Sequence, residues 1–316
     1  MNRKEDAYEN ALALLRNPDT VIEGIAELRN AAEYGNPRAM CEYGLLFDTP
    51  GAPVTQNPTE AFQWYLKSAE YGDDRGQFYA GLAYYEGRIV DQDLALALKW
   101  FTLSAEKGYA IAQHYLGDMY RRGNGVPRDH REAERWYMLA VDRECNEARV
   151  ALGDIYSSPK NKEANFDFAF KLYMDAMNAG YPTAFYKVGM MHFNGTGRPV
   201  NMITASKCFR NGSELGNIEC YYMLGIMYYY GKGVEKDMSR AYRYLNIAEQ
   251  GKNQDAIDFL AKIDSTRKKK DWRTTSNTVR VTRLNTPDLL SLPGSQMETP
   301  SKTSGGGGFF SRFKRK

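Results

Sequence analysis

The sequence predicts an all-α fold, a solenoid of about seven 36-residue helix-turn-helix repeats followed by a disordered C-terminal tail. Two residue columns indicate it. Glycine recurs in steps of 36 residues, after one step of 37, at Gly44, Gly81, Gly117, Gly153, Gly189 and Gly225. Alanine recurs every 36 residues at Ala61, Ala97, Ala133, Ala169, Ala205 and Ala241. A period of roughly 20–50 residues is typical of a stacked array of structural repeats.

Each repeat opens with a helix that a polar residue can cap. The capping column contains only asparagine and aspartate, at Asn57, Asp93, Asp129, Asn165, Asn201 and Asp237. Their side-chain oxygens accept a hydrogen bond from a free backbone N–H of the first turn. After Asp93, apolar residues follow at helical spacing until Gly108, a residue type that commonly ends helices. We therefore expect the first helix of this repeat between those two residues.

The second helix of each repeat carries a glycine in its interior, such as Gly117. A glycine there costs roughly 0.5–1 kcal/mol relative to alanine. Because the chain repeats this glycine, we expect a bulky neighbour to approach so closely that no Cβ atom fits. The Ala97 column is expected to serve the same close contact from the facing helix. The loop at 123–126 then leads to the next cap, Asp129.

Four short motifs recur along the array. One repeat contains Ala97-Leu-Lys-Trp100-Phe101, Ala105-Glu-Lys-Gly108, Leu116-Gly117-Asp-Met-Tyr120 and Gly123-Asn-Gly125-Val126. These motifs resemble the Sel1-like repeat, a relative of the tetratricopeptide repeat, over about residues 20–264. The resemblance implies a right-handed α-α superhelical solenoid that holds partner proteins together and is rarely an enzyme.

Some repeats depart from this pattern. The tryptophan column gives way to Glu27, Leu172, Cys208 and Tyr244. Glu144 replaces the helix-ending glycine of one repeat, and residues 157–159 replace its Gly-x-Gly loop. We therefore expect the array to bend or loosen near residues 144–165.

The sequence divides into four segments. Residues 1–19 are expected to form an N-terminal capping helix, and residues 20–264 the solenoid, which Thr20 opens with a capping box to Glu23. The last repeat is interpreted as having a one-residue deletion before Ala248 and as ending near Ile263. Residues 265–308 are expected to be a disordered basic linker rich in Ser, Thr, Pro and Gly, in which 278–284 is a candidate short strand. Residues 309–316 form an aromatic and basic terminal motif.

Charge is distributed unevenly along the chain. Residues 265–316 contain 12 Lys and Arg against 3 Asp and Glu, a net charge of +9, whereas residues 1–264 carry −6. There is no apolar run long enough to span a membrane as a helix. The first residues lack the pattern of a signal peptide, so a cytoplasmic location is expected, with the inner membrane surface as an alternative.

Signals of catalysis or of ion binding are missing from the sequence. His114, His130 and His192 lie in different repeats, and His192 takes a position that tyrosine holds elsewhere, so it is interpreted as an aromatic core residue. The four cysteines, interpreted as buried thiols, are Cys41, Cys145, Cys208 and Cys220. No phosphate-binding loop, metal motif or hydrolase motif is present. We therefore predict no catalytic residue, no cofactor and no metal.

One surface column is a candidate partner-binding site. It recurs every 36 residues at Lys99, Arg135, Lys171, Lys207 and Arg243, with Gln63 at its head. Stacked repeats would form a cationic ladder from these residues, with steps of roughly 10 Å. Such a ladder could hold an acidic peptide. The alternative is an ordinary solvated position.

The C-terminal motif is a candidate docking element. It contains Phe309, Phe310, Arg312, Phe313, Lys314, Arg315 and Lys316. Its cations and rings could make a weak contact with an anionic membrane. The same residues could instead dock into a partner protein, while nucleic acid is less favoured. A solubilising tail without a specific target is the remaining alternative.

Together these features favour a non-enzymatic interaction scaffold or adaptor. A protein or peptide segment of unknown identity would bind its concave face, and the tail would localise it or add a second contact. A peripheral membrane protein led by its tail is the first alternative. A hydrolase of cell-wall-like or β-lactam substrates is the second, because some secreted relatives have been credited with that activity.

Overall fold

The computed structural model describes residues 3–159, 161 and 164–273, and within these residues the regular structure is entirely helical. The helices are α1 (Arg3–Leu15), α2 (Val21–Glu33), α3 (Pro37–Asp48), α4 (Pro58–Glu70), α5 (Asp74–Glu86), α6 (Leu94–Glu106), α7 (Ala110–Arg122), α8 (His130–Val141), α9 (Asn146–Tyr156), α10 (Phe166–Asn178), α11 (Pro182–Asn194), α12 (Met202–Glu214), α13 (Ile218–Tyr230), α14 (Met238–Gln250) and α15 (Gln254–Arg273). A short 3₁₀ turn, Pro18–Thr20, joins α1 to α2. The predicted all-α class is confirmed.

The chain forms two compact units with a boundary after residue 148. We call the described residues 3–148 unit 1 and the described residues of 149–273 unit 2. In unit 1, each helix from α1 to α7 packs against the next one in sequence, and in unit 2 the same holds from α10 to α14. Each unit has its own buried apolar clusters. The helices after α1 alternate as first and second helices of seven repeats, α2 with α3 through α14 with α15.

The first helices are capped as the sequence predicts. All six asparagine and aspartate side chains of the capping column accept a hydrogen bond from a backbone N–H of the first turn. A second set of caps opens four of the second helices, at Asn36, Asp73, Asn217 and Asn253. The equivalent positions of the other second helices hold tyrosine or cysteine. The polar caps therefore do not form an unbroken column that could be recognised in the sequence.

The interior glycines of the second helices lie against bulky side chains, as expected. A Cβ atom at Gly117 would lie 2.7 Å from Cε1 of Tyr137, and one at Gly189 would lie 2.5 Å from Cε1 of Phe209. The facing residue belongs to the first helix of the next repeat, four positions after the buried alanine column. The bulky side chain at this position, more than the alanine, is therefore what requires the glycine. Each such glycine lies at the contact between consecutive repeats, not at the contact between the two helices of one repeat.

Two local predictions are wrong. Thr20 does not form a capping box, because its hydroxyl donates to the carbonyl of Leu14 at 2.8 Å and makes no cap bond to α2. Nor is there a deletion in the last repeat. Lys252 stands four steps of 36 after Gly108 and takes the left-handed conformation at φ 61°, whereas Gly251 has φ −73°. The backbone therefore keeps its period, and Lys252 replaces the helix-ending glycine.

The last helix is longer than expected. The sequence interpretation ends the final repeat near Ile263, but α15 continues to Arg273 and includes the basic run at 267–270. Lysine and arginine are good helix formers, and cations near a helix C-terminus interact favourably with its dipole. The candidate strand at 278–284 and the terminal motif at 309–316 lie outside the described residues.

Candidate interaction surface

The cationic ladder occupies one position on the first helices. Its members lie two residues after the alanine column, whose side chains are fully buried at Ala97, Ala133, Ala169, Ala205 and Ala241. Two residues along an α-helix turn the side chain to nearly the opposite side. The five ladder side chains are accordingly all exposed: Lys99, Arg135, Lys171, Lys207 and Arg243. The structure gives each of them access to solvent, and their role in binding stays a prediction.

In unit 1 the ladder residues lie over tryptophan rings. The Nζ atom of Lys99 lies 5.2 Å from the ring centre of Trp100, and the guanidinium carbon of Arg135 lies 5.0 Å from that of Trp136. Arg135 also pairs with Glu132 at 2.9 Å. Such cation–π contacts hold a long side chain along its helix. This part of the ladder is thus partly engaged within the protein.

In unit 2 the tryptophan column is replaced, and a different arrangement results. Tyr244 takes the tryptophan position of α14 and stacks on Tyr228 of α13, with ring centres 5.6 Å apart and planes 11° apart. Tyr228 is buried, while Tyr244 is partly exposed. The two stacked rings form an aromatic surface beside the ladder residue Arg243.

Arginines surround this pair of rings. Arg210 donates from Nη2 to the Tyr228 hydroxyl at 3.4 Å, and Arg240 donates to it from Nη1 at 3.3 Å. Burial raises the pKa of Tyr244, and the Tyr228 hydroxyl adds to that effect, while the charges of Arg210, Arg243 and Arg240 oppose it. The charges of three guanidinium groups therefore favour the ionised form of the Tyr244 hydroxyl. Sequence inspection missed Arg210 and Arg240, because neither belongs to a recurring column.

A second cluster of titratable groups lies between α7 and α8 in unit 1. The Tyr137 hydroxyl donates to Asp118, which also pairs with Arg121 at 3.0 Å and with Arg122 at 3.1 Å. Burial disfavours the Asp118 carboxylate, but the hydrogen bond from Tyr137 and the charges of His114 and both arginines outweigh it and lower its pKa. The carboxylate thus pairs with two arginines of its own helix and is joined to α8 by Tyr137.

The same tyrosine–aspartate contact recurs in unit 2. Tyr173 donates to Asp154 at 2.6 Å, and Lys187 pairs with that carboxylate at 2.7 Å. Asp118 and Asp154 each follow an interior glycine by one residue, and each meets the ring that covers that glycine. The repetition at the same position of successive repeats indicates a structural clamp rather than a catalytic site.

A partly buried ion pair joins two second helices of unit 1. Arg75 on α5 contacts Glu42 on α3, and Glu42 is only 8% exposed. Burial disfavours the Arg75 charge, but the nearby Cys41 and Glu42 outweigh it and raise the pKa of the guanidinium. Burial also raises the pKa of the adjacent Tyr79 to about 12. The Glu42 carboxylate thus stabilises the Arg75 charge, whereas the Tyr79 hydroxyl stays protonated at neutral pH.

The remaining candidate residues have structural surroundings. All four cysteines are free and buried, as expected. His192 is partly buried and packs edge-on against Phe170 with ring centres 5.8 Å apart, so it makes the expected kind of aromatic contact without being fully buried. No cluster of three or more potential metal ligands occurs among the residues that the structure describes. Within the same residues, no helix combines the length and apolarity needed to cross a bilayer.

The geometry defines an α-helical repeat protein. The sequence profile of the Sel1 repeat matches residues 37–73, 74–109, 110–144, 182–217 and 218–252, more than half of the chain. The chain therefore belongs to the Sel1 repeat family. The unmatched stretch, 145–181, includes residues 157–159, which replace the Gly-x-Gly loop of one repeat. Sel1 repeat proteins generally mediate protein–protein interactions.

Solved structures share the fold. A Sel1 repeat protein from Oxalobacter formigenes is 26% identical with a TM-score of 0.70, and the match covers 77% of this chain and 96% of that protein. The protective antigen c5321 of uropathogenic Escherichia coli, which displays an SLR fold, is 29% identical with a TM-score of 0.63. That match covers 73% of this chain and half of the antigen's length. No curated protein sequence matches the chain significantly.

Proposed function

We propose that this protein is a non-enzymatic scaffold that binds a segment of a partner protein along the exposed face of its first helices. The main support is the ladder, whose five cations are all exposed on helices that otherwise bury their apolar side. A solvated column of this kind costs no core stability and offers a row of charged donors to a ligand. The general role of Sel1 repeat proteins points in the same direction.

Site-specific photo-crosslinking of the intact protein tests this proposal. A photoreactive amino acid would replace Lys99 or Lys171 on the first helices, and Arg38 or Glu219, which are exposed on second helices, as matched controls. We expect one partner to be captured from native lysate at the ladder positions and not at the control positions. Equal capture at all four positions, or none at any, would contradict the proposal.

The basic tail is proposed to add a second contact, because residues 265–316 carry a net charge of +9 next to an otherwise acidic chain. An anionic membrane surface is the favoured target, since phenylalanines accompany the terminal cations.

A hydrolase function has less support. The carboxylates of Asp118 and Asp154 are each engaged by a tyrosine hydroxyl and by a neighbouring cation, which does not favour a role in proton transfer. A turnover assay on cell-wall fragments and β-lactams would decide this, and sustained catalysis would argue against a pure scaffold.

A further inference from the structure

The first helices of unit 2 carry a concentration of cations. Lys207 and Arg210 on α12 and Arg240 and Arg243 on α14 are all exposed. We call these four residues, together with Tyr244, the basic face. Carboxylates occur on α12 and α14 only near their C-terminal ends, at Glu214 and Glu249, and at the cap of α14, Asp237. The middle of both helices is therefore purely cationic.

Little within unit 2 neutralises this face. Arg240 pairs with Asp237 at 3.2 Å, but among the described residues no carboxylate lies within ion-pair distance of Arg210 or Arg243. Arg210 and Arg240 nevertheless converge on the one hydroxyl of Tyr228. Like charges held this close repel each other, and a bound anion relieves that repulsion. This arrangement favours the binding of a negatively charged group.

The spacing suits an extended peptide. Residues three apart on a helix lie roughly 5–6 Å from each other, and alternate side chains of an extended chain lie roughly 7 Å apart. The cations of α14 add a second row, and Arg210 and Arg240 come close enough to reach the same Tyr228 hydroxyl at 3.4 and 3.3 Å. Guanidinium groups bind carboxylates with two parallel hydrogen bonds, which gives orientation as well as charge. Alternating acidic side chains could therefore reach two or more of these cations at once.

We infer that the basic face of unit 2 binds a glutamate- or aspartate-rich extended segment of a protein partner. This inference rests on the proposed scaffold function and specifies the chemistry of the partner. A peptide is favoured over nucleic acid because Tyr228 covers one face of Tyr244, which leaves little aromatic surface for base stacking.

Fluorescence anisotropy with the full-length protein tests the inference. The probe is a short labelled peptide of alternating Glu and Ser, compared with the same peptide carrying Gln and with a single-stranded oligonucleotide. Two variants have the same charge change. One is R210Q/R243Q on the basic face. The other is K232Q/K236Q, which alters two exposed lysines of the loop between α13 and α14. Both keep the basic tail, so any binding by the tail contributes equally to both.

We expect R210Q/R243Q to weaken binding of the Glu peptide about tenfold or more, and K232Q/K236Q to weaken it less than about threefold. The variant R210K/R243K keeps the charge and loses the paired hydrogen bonds, so it should lie between them and fold normally. Equal loss in both glutamine variants, or equal affinity for the Gln peptide, overturns the inference. So does an oligonucleotide that binds more tightly and depends on Arg210 and Arg243.

The outcomes also separate the inference from the scaffold proposal. If crosslinks at Lys99 or Lys171 still capture one partner while the Glu peptide fails to bind, the assignment of an acidic ligand is wrong and the scaffold stands. If neither the crosslinks nor the peptide gives a specific result, both are wrong.

Discussion

Single residues set the distance between repeats in this protein. An interior glycine allows the first helix of the next repeat to place a ring or a leucine directly on the helix backbone. At Gly225 the facing side chain is Leu245, so the requirement is for bulk and not for an aromatic group. The small loss of helix propensity is outweighed by the close packing of a large buried side chain.

The first prediction concerns Gly117→Ala. The added methyl would overlap the Tyr137 ring, and we expect a net loss of about 1–2 kcal/mol in the free energy of unfolding despite the better helix propensity. Urea denaturation measures this change. Repeating it in a Tyr137→Val background provides the control, because the overlap is removed there and the alanine should be neutral or stabilising. An equal loss in both backgrounds would show that the ring is not the obstacle.

The second prediction concerns the left-handed positions at helix ends. Lys252 adopts φ 61°, and Lys252→Gly should raise the free energy of unfolding by about 0.5–1 kcal/mol because it relieves strain on a residue with a Cβ atom. Gly216→Ala is the matched reverse change, since φ is +84° and nothing lies within 4 Å of its Cβ position. Thermal melting should show opposite shifts. Shifts of the same sign would refute a backbone cause.

The third prediction concerns pH. Burial lowers the pKa of His114 below its ordinary 6.5, while Asp118 and Glu147 partly oppose this. Below pH 6.5 the unfolded chain therefore binds a proton that the folded chain does not, so stability falls as pH drops from 6.5 to the lowered pKa. His114→Phe should reduce the loss of stability between roughly pH 7.5 and 5.5. Other groups titrate in both proteins and cancel, so identical pH dependence would exclude a role for His114.

At the scale of helices, α1 acts as a cap on unit 1. It buries Tyr8, Ala11 and Leu15 against α2, where Gly24 allows Leu15 to approach the helix backbone. The first repeat has no preceding repeat to cover it, and a terminal element of different sequence is needed at such an end. The helix therefore does for α2 what the second helix of a preceding repeat does elsewhere.

The fourth prediction tests that role. Leu15→Ala should lower the free energy of unfolding by about 2–5 kcal/mol, because it leaves a cavity between α1 and α2. Leu14→Ala is the matched control, since Leu14 is only partly buried on the same helix, and its cost should be clearly smaller. Chemical denaturation compares the two. A similar cost for both would mean that α1 is not packed as a cap.

For the molecule as a whole, charge is distributed unevenly over three parts of the chain. Residues 1–148 carry −8, residues 149–264 carry +2 from 14 Lys and Arg against 12 Asp and Glu, and residues 265–316 carry +9. The ladder column has members in both units, and those in unit 1 belong to the more acidic part of the sequence. A ligand that is negative along its length would therefore be directed toward unit 2 and the tail.

The fifth prediction concerns the tail. A chain truncated after residue 308 keeps every described helix and loses three phenylalanines and four cations. It should sediment less with vesicles that contain anionic lipid than the full-length protein does, and added salt should reduce the difference. Vesicles of neutral lipid serve as the control. Equal sedimentation of both chains with anionic vesicles would remove the membrane from the proposal.

Periodicity was sufficient to predict the class of fold, the number of hairpins and the caps of the first helices, because each of these depends on residues close together in the sequence. It also identified the ladder as a column, since a fixed period places equivalent residues on equivalent faces. The bond made by Thr20, the partner of each interior glycine and the convergence of Arg210 and Arg240 on Tyr228 could not be predicted in this way. The first is a bond to the end of α1, and the others are contacts between the surfaces of consecutive helices. A period describes where residue types recur, but it does not describe which side chains meet.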